Sequence, residues 1–256
     1  MSGPLLEVQG LAKEFGGIAA VRSVDFTIEP GQIKAMIGPN GAGKTTILNV
    51  ISGALPPSRG RVLFLGQPLP QARPHAVAAR GIARTFQIVR LFGEMTVLDT
   101  VLVGCHLRGQ AGWAACALRT PAMRNEERRL RERAEAVLAI VGLEERAMAP
   151  AAALSYGEQR LVELGRALGM APRLLLLDEP GAGLYPEEHR RLAGLIRRIR
   201  DDGATVLLVD HHMDFVMDLS DEVLVLSYGQ KLAEGPPDAV RANAAVIAAY
   251  LGVEAA

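Results

Sequence analysis

The sequence predicts an α/β fold: a mainly parallel sheet, an antiparallel β subdomain near the N-terminus and an inserted α-helical subdomain. Three observations carry that expectation. Ile33–Ile37 reads as a short buried strand with Ile33, Ala35 and Ile37 on one side, Leu174–Leu177 as a strand buried on both faces, and Thr205–Val209 as another buried strand. The first run leads straight into Gly38-Pro39-Asn40-Gly41-Ala42-Gly43-Lys44-Thr45-Thr46, a glycine-rich loop that opens a helical stripe of Ile47, Leu48, Ile51 and Leu55. From about residue 72 to 170 the periodicity turns mainly helical.

The loop fits G-x-x-x-x-G-K-[ST], and its chemistry can be read from its residues. Glycines at 38, 41 and 43 allow a tight turn that aims several N–H groups at one point. Lys44 supplies a mobile cation for β- and γ-phosphates, and the Thr45 hydroxyl is a ligand for Mg²⁺. A strand before the loop and a helix after it place an anion on a helix N-terminus. A nucleotide phosphate is the expected ligand.

Composition narrows the class. Of 256 residues 49% are hydrophobic and 22% charged, which is globular usage, and the 28 basic residues balance the 28 acidic ones. No overall field points to nucleic acid. Cys105 and Cys116 are not at CxxC spacing and read as free thiols. The start, Met1-Ser2-Gly3-Pro4-Leu5-Leu6-Glu7, has no basic segment followed by an apolar run, and no stretch approaches the roughly 18 apolar residues of a membrane span. A chain that stays in the cytoplasm is expected.

Upstream of the loop, Val24, Phe26 and Ile28 alternate with polar residues as in a half-buried strand, with turns at Phe15-Gly16-Gly17 and Pro30-Gly31. Phe15 is either a core aromatic or a platform for a base. Arg61–Leu65 reads as a strand ended by Gly66. Thr96 and Asp99 have capping-box-like spacing. In residues 124–143 an apolar stripe of Leu130, Ala134, Val137, Leu138 and Val141 runs among interleaved arginines and glutamates, a solvated helix face.

Ser155-Tyr156-Gly157-Glu158 is a capping box that opens another helix. Leu174-Leu175-Leu176-Leu177-Asp178-Glu179-Pro180 sets two carboxylates at the C-terminal end of a buried strand, where open α/β sheets bind ligands. One acid suits Mg²⁺ through water and the other an attacking water. The strand Thr205–Val209 ends in Asp210-His211-His212. That histidine pair has no further Cys or His close by in the sequence, so a phosphate contact is expected rather than zinc. Glu222–Leu226 reads as a strand, and an alanine-rich helix ends around Leu251.

Together these segments resemble the ATP-binding subunits of ABC transporters over nearly the whole chain. Gly38 to Thr46 is similar to the Walker A loop and Gln87, in Arg84-Thr85-Phe86-Gln87, to the Q-loop glutamine. Leu154 to Arg160 resembles the signature, Leu174 to Pro180 Walker B, His211 the switch histidine and Phe15 the adenine-stacking aromatic. Within the family the chain is most similar to the branched-chain amino acid importer type. Phe15 to Val21, Arg84 to Gly104, Leu118 to Ala122, Asp210 to Leu219 and Val246 to Gly252 carry that likeness.

The resemblance implies a single ABC ATPase domain over 1–256 with a P-loop NTPase core. About 1–86 and 171–256 form the core and β subdomain, and about 87–170 the helical subdomain. It implies ATP and Mg²⁺ as ligands. Phe15 stacks on the base, residues 38–46 hold the phosphates, and Thr45, Gln87 and water-bridged Asp178 position the metal. Glu179 polarises water and His211 contacts the γ-phosphate. Ser155 and Gly157 bind the ATP of a partner subunit, in a dimer with a second ATPase chain, heterotypic or homotypic.

It further implies two membrane permeases docked near Gln87 and the Arg90–Thr100 stretch, a periplasmic binding protein acting indirectly, no nucleic acid, and a peripheral place on the inner face of the membrane. Urea or amide import, lipopolysaccharide export and a soluble ABC ATPase are the alternatives. Departures from the family pattern are Tyr156, Glu158, Tyr185 in place of the D-loop aspartate, and Asp210 and His212 flanking the switch. Strand register favours His211 over His212 for that role.

Overall fold

The computed structural model describes residues 3–87, 91, 93–108 and 121–251. They form two compact units, one of residues 1–84 with 173–256 and the other of residues 85–172.

In the first unit β1 (Leu6–Phe15) and β2 (Ile18–Ile28) make a hairpin across Gly16-Gly17. After β3 (Ile33–Ile37), β4 (Arg59–Phe64) and β5 (Gln67–Pro68) complete an antiparallel sheet in the order β2-β1-β4-β5. Val24, Phe26 and Ile28 are buried and Asp25 and Thr27 exposed, the alternation of a strand with one wet face.

The second sheet contains β6 (Ile82–Arg84), β7 (Leu174–Asp178), β8 (Thr205–Val209), β9 (Glu222–Ser227) and β10 (Gln230–Gly235) with β3, in the order β10-β9-β3-β8-β7-β6. Every pairing is parallel except β9 with β10. All five residues of β3, β7 and β8 are buried, as their continuous apolar runs require. β6 escapes a periodicity reading because three residues are too few to show a period.

The helices of this unit are α1 (Lys44–Ile51), α2 (Pro74–Ala79), α6 (Pro186–Asp201), α7 (Met213–Leu219), α8 (Pro237–Arg241) and α9 (Ala244–Leu251). α1 is shorter than its apolar stripe suggests. It stops at Ile51, because Gly53 turns the chain at φ +73°; Leu55 still packs on the core from beyond the helix end.

One polar group sits deep in β3. Lys34 is 1% exposed, and its Nζ donates to Thr27 O at 2.7 Å, to Glu222 Oε2 at 2.8 Å, and to Glu234 Oε1. Burial acts to raise the Glu234 carboxyl, but hydrogen bonds from Lys231 and Lys34 outweigh it and hold the pKa below its usual value. A lysine this deep is tolerated because each of its three protons has an acceptor.

The second unit contains α3 (Val97–Cys105), α4 (Pro121–Val141) and α5 (Tyr156–Gly169). Thr96 caps α3 by accepting the Asp99 N–H, and α4 buries Ala134, Val137, Leu138 and Val141 while Leu130 stays half-buried. Burial pushes the Cys105 thiol up, with Arg133 opposing, so among the described residues this cysteine is an inert core group. Cys116 and the Leu118–Thr120 stretch lie outside the described residues, as do Arg90 and Phe92. The whole unit occupies the connection from β6 to β7, which are neighbouring parallel strands. Parallel neighbours need a crossover, and here that crossover has become a folded unit.

Among the described residues no helix is long and apolar enough to cross a membrane.

Candidate active site

The site grows from the C-terminal ends of β3, β8 and β7, which lie side by side. After β3 the chain enters the glycine loop, and α1 begins at Lys44 with Gly43 as its N-cap at φ +100°. Packing dictates two of the glycines. A Cβ on Gly38 would lie 2.2 Å from Leu226 O, and one on Gly43 2.7 Å from Ala20 O. Around Gly41, by contrast, there is open space.

Lys44 arches back over the loop, donating to Gly38 O at 2.6 Å and Pro39 O at 3.0 Å. Burial lowers its pKa, and the fields of Glu179 and Asp178 oppose that shift. Among the described residues no carboxylate comes within ion-pair distance of it. A desolvated cation on a ring of loop backbone at a helix N-terminus fits a polyphosphate.

Asp178 ends β7 and Glu179 follows at φ +49°, a left-handed conformation that costs a non-glycine residue of order 1 kcal/mol or more. It is held there because Glu179 N donates to Val209 O of β8 at 2.7 Å. Strain kept in place by a neighbouring strand re-aims the carboxylate. Beyond β8, His211 Nδ1 stands 4.0 Å from Glu179 Oε2. Glu179 and His211, expected to act together, are therefore adjacent.

Asp178 has a partner that the motif does not disclose. Arg84, at the end of β6, donates to Asp178 Oδ2 at 2.8 Å, to Asn49 Oδ1 at 2.7 Å and to Ser52 Oγ at 3.1 Å. The Arg84 and Asp178 side chains are 8% and 5% exposed. The arginine thus joins the carboxylate to α1, leaving the other Asp178 oxygen to accept from elsewhere. A hydroxyl on Thr45 and a carboxylate oxygen on Asp178 are hard donors that fit Mg²⁺.

Phe15 is 46% exposed, at the tip of the hairpin whose second strand brings Ala20 against Gly43, and Lys13 Nζ lies 5.1 Å from its ring. That exposure is not a core residue's. In α9, burial pushes the Tyr250 phenol up to about 12, with the Gly38 backbone opposing the shift.

Gln87, Ser155 and Gly157 belong to the second unit. Ser155 N donates to Glu158 Oε2 at 2.9 Å and Glu158 N to Ser155 Oγ at 3.3 Å, so the expected capping box is present and opens α5. Arg160 of α5 donates to Phe86 O at 2.9 Å and Gln87 O at 2.6 Å, while Glu163 Oε1 accepts from Phe86 N at 3.1 Å. The signature helix and the Gln87 backbone are therefore bound together inside one unit. At the D-loop position Tyr185 is 76% exposed, and its backbone N–H donates to Glu188 Oε2 at 2.8 Å.

A family model described as ABC transporter matches residues 21–182. The chain belongs to the ABC transporter ATP-binding family. A second model, branched-chain amino acid ATP-binding cassette transporter, matches residues 230–256 of this ABC cassette. The cassette is 44% identical over 253 residues to the high-affinity branched-chain amino acid transport ATP-binding protein BraF of Pseudomonas aeruginosa, covering 98% of this chain and 99% of that one. It is 43% identical over the same length to LivG of Escherichia coli K12, with the same coverage. Among solved structures, the ADP conformation of MJ1267, an ATP-binding cassette of an ABC transporter, is similar at a TM-score of 0.85 and 31% identity, covering 98% of this chain and 99% of that one.

Sequence reasoning missed Arg84, Arg160, Glu163 and Tyr250 as parts of this ABC site. Each acts through a partner far away in the chain, so spacing carried no signal. Only the placing of Arg84, Arg160 and Tyr250 inside family-like stretches pointed their way.

Proposed function

We propose that this cassette hydrolyses ATP to drive import of branched-chain or related hydrophobic amino acids through partner permeases. The observation that carries the hydrolytic part is the Glu179–His211 pair at 4.0 Å, set beside Asp178 and within the field felt by Lys44. Glu179 orients and accepts a proton from the attacking water. His211 donates to the γ-phosphate as charge develops there. Lys44 and the amides of residues 38–46 neutralise the phosphates, and Phe15 stacks on the base. Thr45, Asp178 and Gln87 would hold Mg²⁺, which would supply positive charge against that of the phosphates.

Ser155 and Gly157 present the N-terminus of α5 to the nucleotide of a second ATPase subunit, so ATP joins the two chains. The Gln87 region receives a permease, which puts the cassette on the inner face of the membrane without entering it. The transported class rests on the likeness to BraF and LivG and on the match over residues 230–256. The test is reconstitution with the permeases and the second ATPase in vesicles. Leucine-loaded binding protein should stimulate ATP hydrolysis several-fold while urea-loaded or empty binding protein does not. Equal stimulation by every solute would overturn the amino acid assignment.

A further inference from the structure

The fold assembles an imidazole cluster of which the proposed ATP chemistry uses only His211. His189, in the first turn of α6, lies with its ring centroid 4.7 Å from that of His212, and His212 is 4.2 Å from His211. The sequence hides this, since His189 is far from the histidine pair along the chain. The expectation that the pair lacks a further histidine nearby is therefore corrected by the tertiary fold.

Beneath the cluster Asp210 is 1% exposed. Its Oδ1 accepts from the backbone N–H groups of His211 at 2.8 Å and His212 at 2.9 Å, and lies 2.9 Å from His212 Nδ1. An ionised carboxylate only accepts, so the tautomer that suits this contact carries its proton on Nδ1 and offers Nε2 as the ligand atom. That is the carboxylate–histidine arrangement which orients an imidazole toward a metal and raises its basicity. Gly181 N donates to Asp210 Oδ2 at 3.2 Å, and a Cβ there would come within 2.8 Å of His189 Cε1. The close approach of His189 to Asp210 depends on that glycine. Ligand atoms of Asp210, His211 and His212 all lie within 4.8 Å of one another, and the His211 and His212 side chains are 58% and 41% exposed, open to an ion from solvent.

We propose that His189, His212 and His211, backed by Asp210, bind a divalent transition ion of the zinc class, and that its capture of His211 stops turnover. Imidazole nitrogens select zinc, nickel or copper over magnesium and calcium, which prefer oxygen, so the site does not compete for the metal of hydrolysis. The inhibitory half rests on the reading of His211 as the group that faces the γ-phosphate; the binding half does not.

The two halves are therefore measured apart. Zinc is titrated into the nucleotide-free full chain against a chromophoric chelator with magnesium in excess. Wild type should bind one zinc per chain, and His189→Gln and His212→Gln should each weaken binding about tenfold or more. His212→Gln guards against a folding defect in His189→Gln, because His189 also packs on Phe215. Binding that survives both substitutions overturns the site. ATP turnover is then followed with and without zinc: wild type should lose most of it and His189→Gln should keep it. Zinc bound through His189 and His212 with turnover unchanged overturns the capture of His211. Absence of turnover in zinc-free wild type would instead count against the ATPase reading.

Discussion

At the residue scale the site depends on where a few charges are held. Glu179 combines a left-handed backbone with a bond to β8, so replacing its carboxylate without changing its shape isolates the chemistry. Glu179→Gln should leave ATP binding intact and cut turnover by about 10²-fold or more, read as single-turnover phosphate release. Near-normal release would remove Glu179 from the mechanism. Arg84 makes a different prediction. Removing it strands the buried Asp178 carboxylate, so Arg84→Met should cost about 3–5 kcal/mol in urea unfolding, with Arg84→Lys losing less. Neither residue's partner was legible in the sequence. The acids announced themselves by following four leucines, whereas Arg84 sits in a short strand with no period and reaches Asp178 only once β6 and β7 pair.

At the scale of elements, β3 shows what the apolar pattern tells and what it leaves out. Its burial was legible from Ile33, Ala35 and Ile37; the charge cluster around Lys34 was not, because Glu222 and Glu234 come from strands late in the chain. Lys34→Met should destabilise the fold by about 3–5 kcal/mol, since it leaves two acids facing an apolar side chain. Changing Glu222 and Glu234 to leucine in the same chain should recover most of that loss, and chemical denaturation of the single and triple variants checks it.

Helix α9 offers a spectroscopic handle. The Tyr250 phenol titrates near 12, above the ordinary value of 10, so the folded state holds its proton longer than the unfolded one. The stability linked to this group is whole below pH 10 and is lost as pH rises toward 12. A late component in the phenolate absorbance should be missing from Tyr250→Phe; an unchanged curve would show that burial does not shift this phenol.

At the scale of the whole molecule, the sequence disclosed the class and most strands because the core is built from continuous apolar runs, and the loop because its glycine spacing is a fixed pattern, with Gly38 and Gly43 dictated by backbone contacts. The histidine cluster and the ties from Arg160 and Glu163 to the Gln87 backbone were hidden, since they depend on which elements meet. On the proposal that Ser155 and Gly157 serve the ATP of a second subunit, specific activity should fall on dilution. Activity that stays flat across a hundredfold dilution would argue for a self-sufficient chain.

The placing of the second unit has a mechanical reading. It leaves the sheet directly after Arg84, whose guanidinium grips the carboxylate beside the catalytic acid. The tether of that unit and the Asp178 carboxylate are thus one side chain apart. A displacement of Arg84 along β6 would therefore act on that carboxylate through one ion pair.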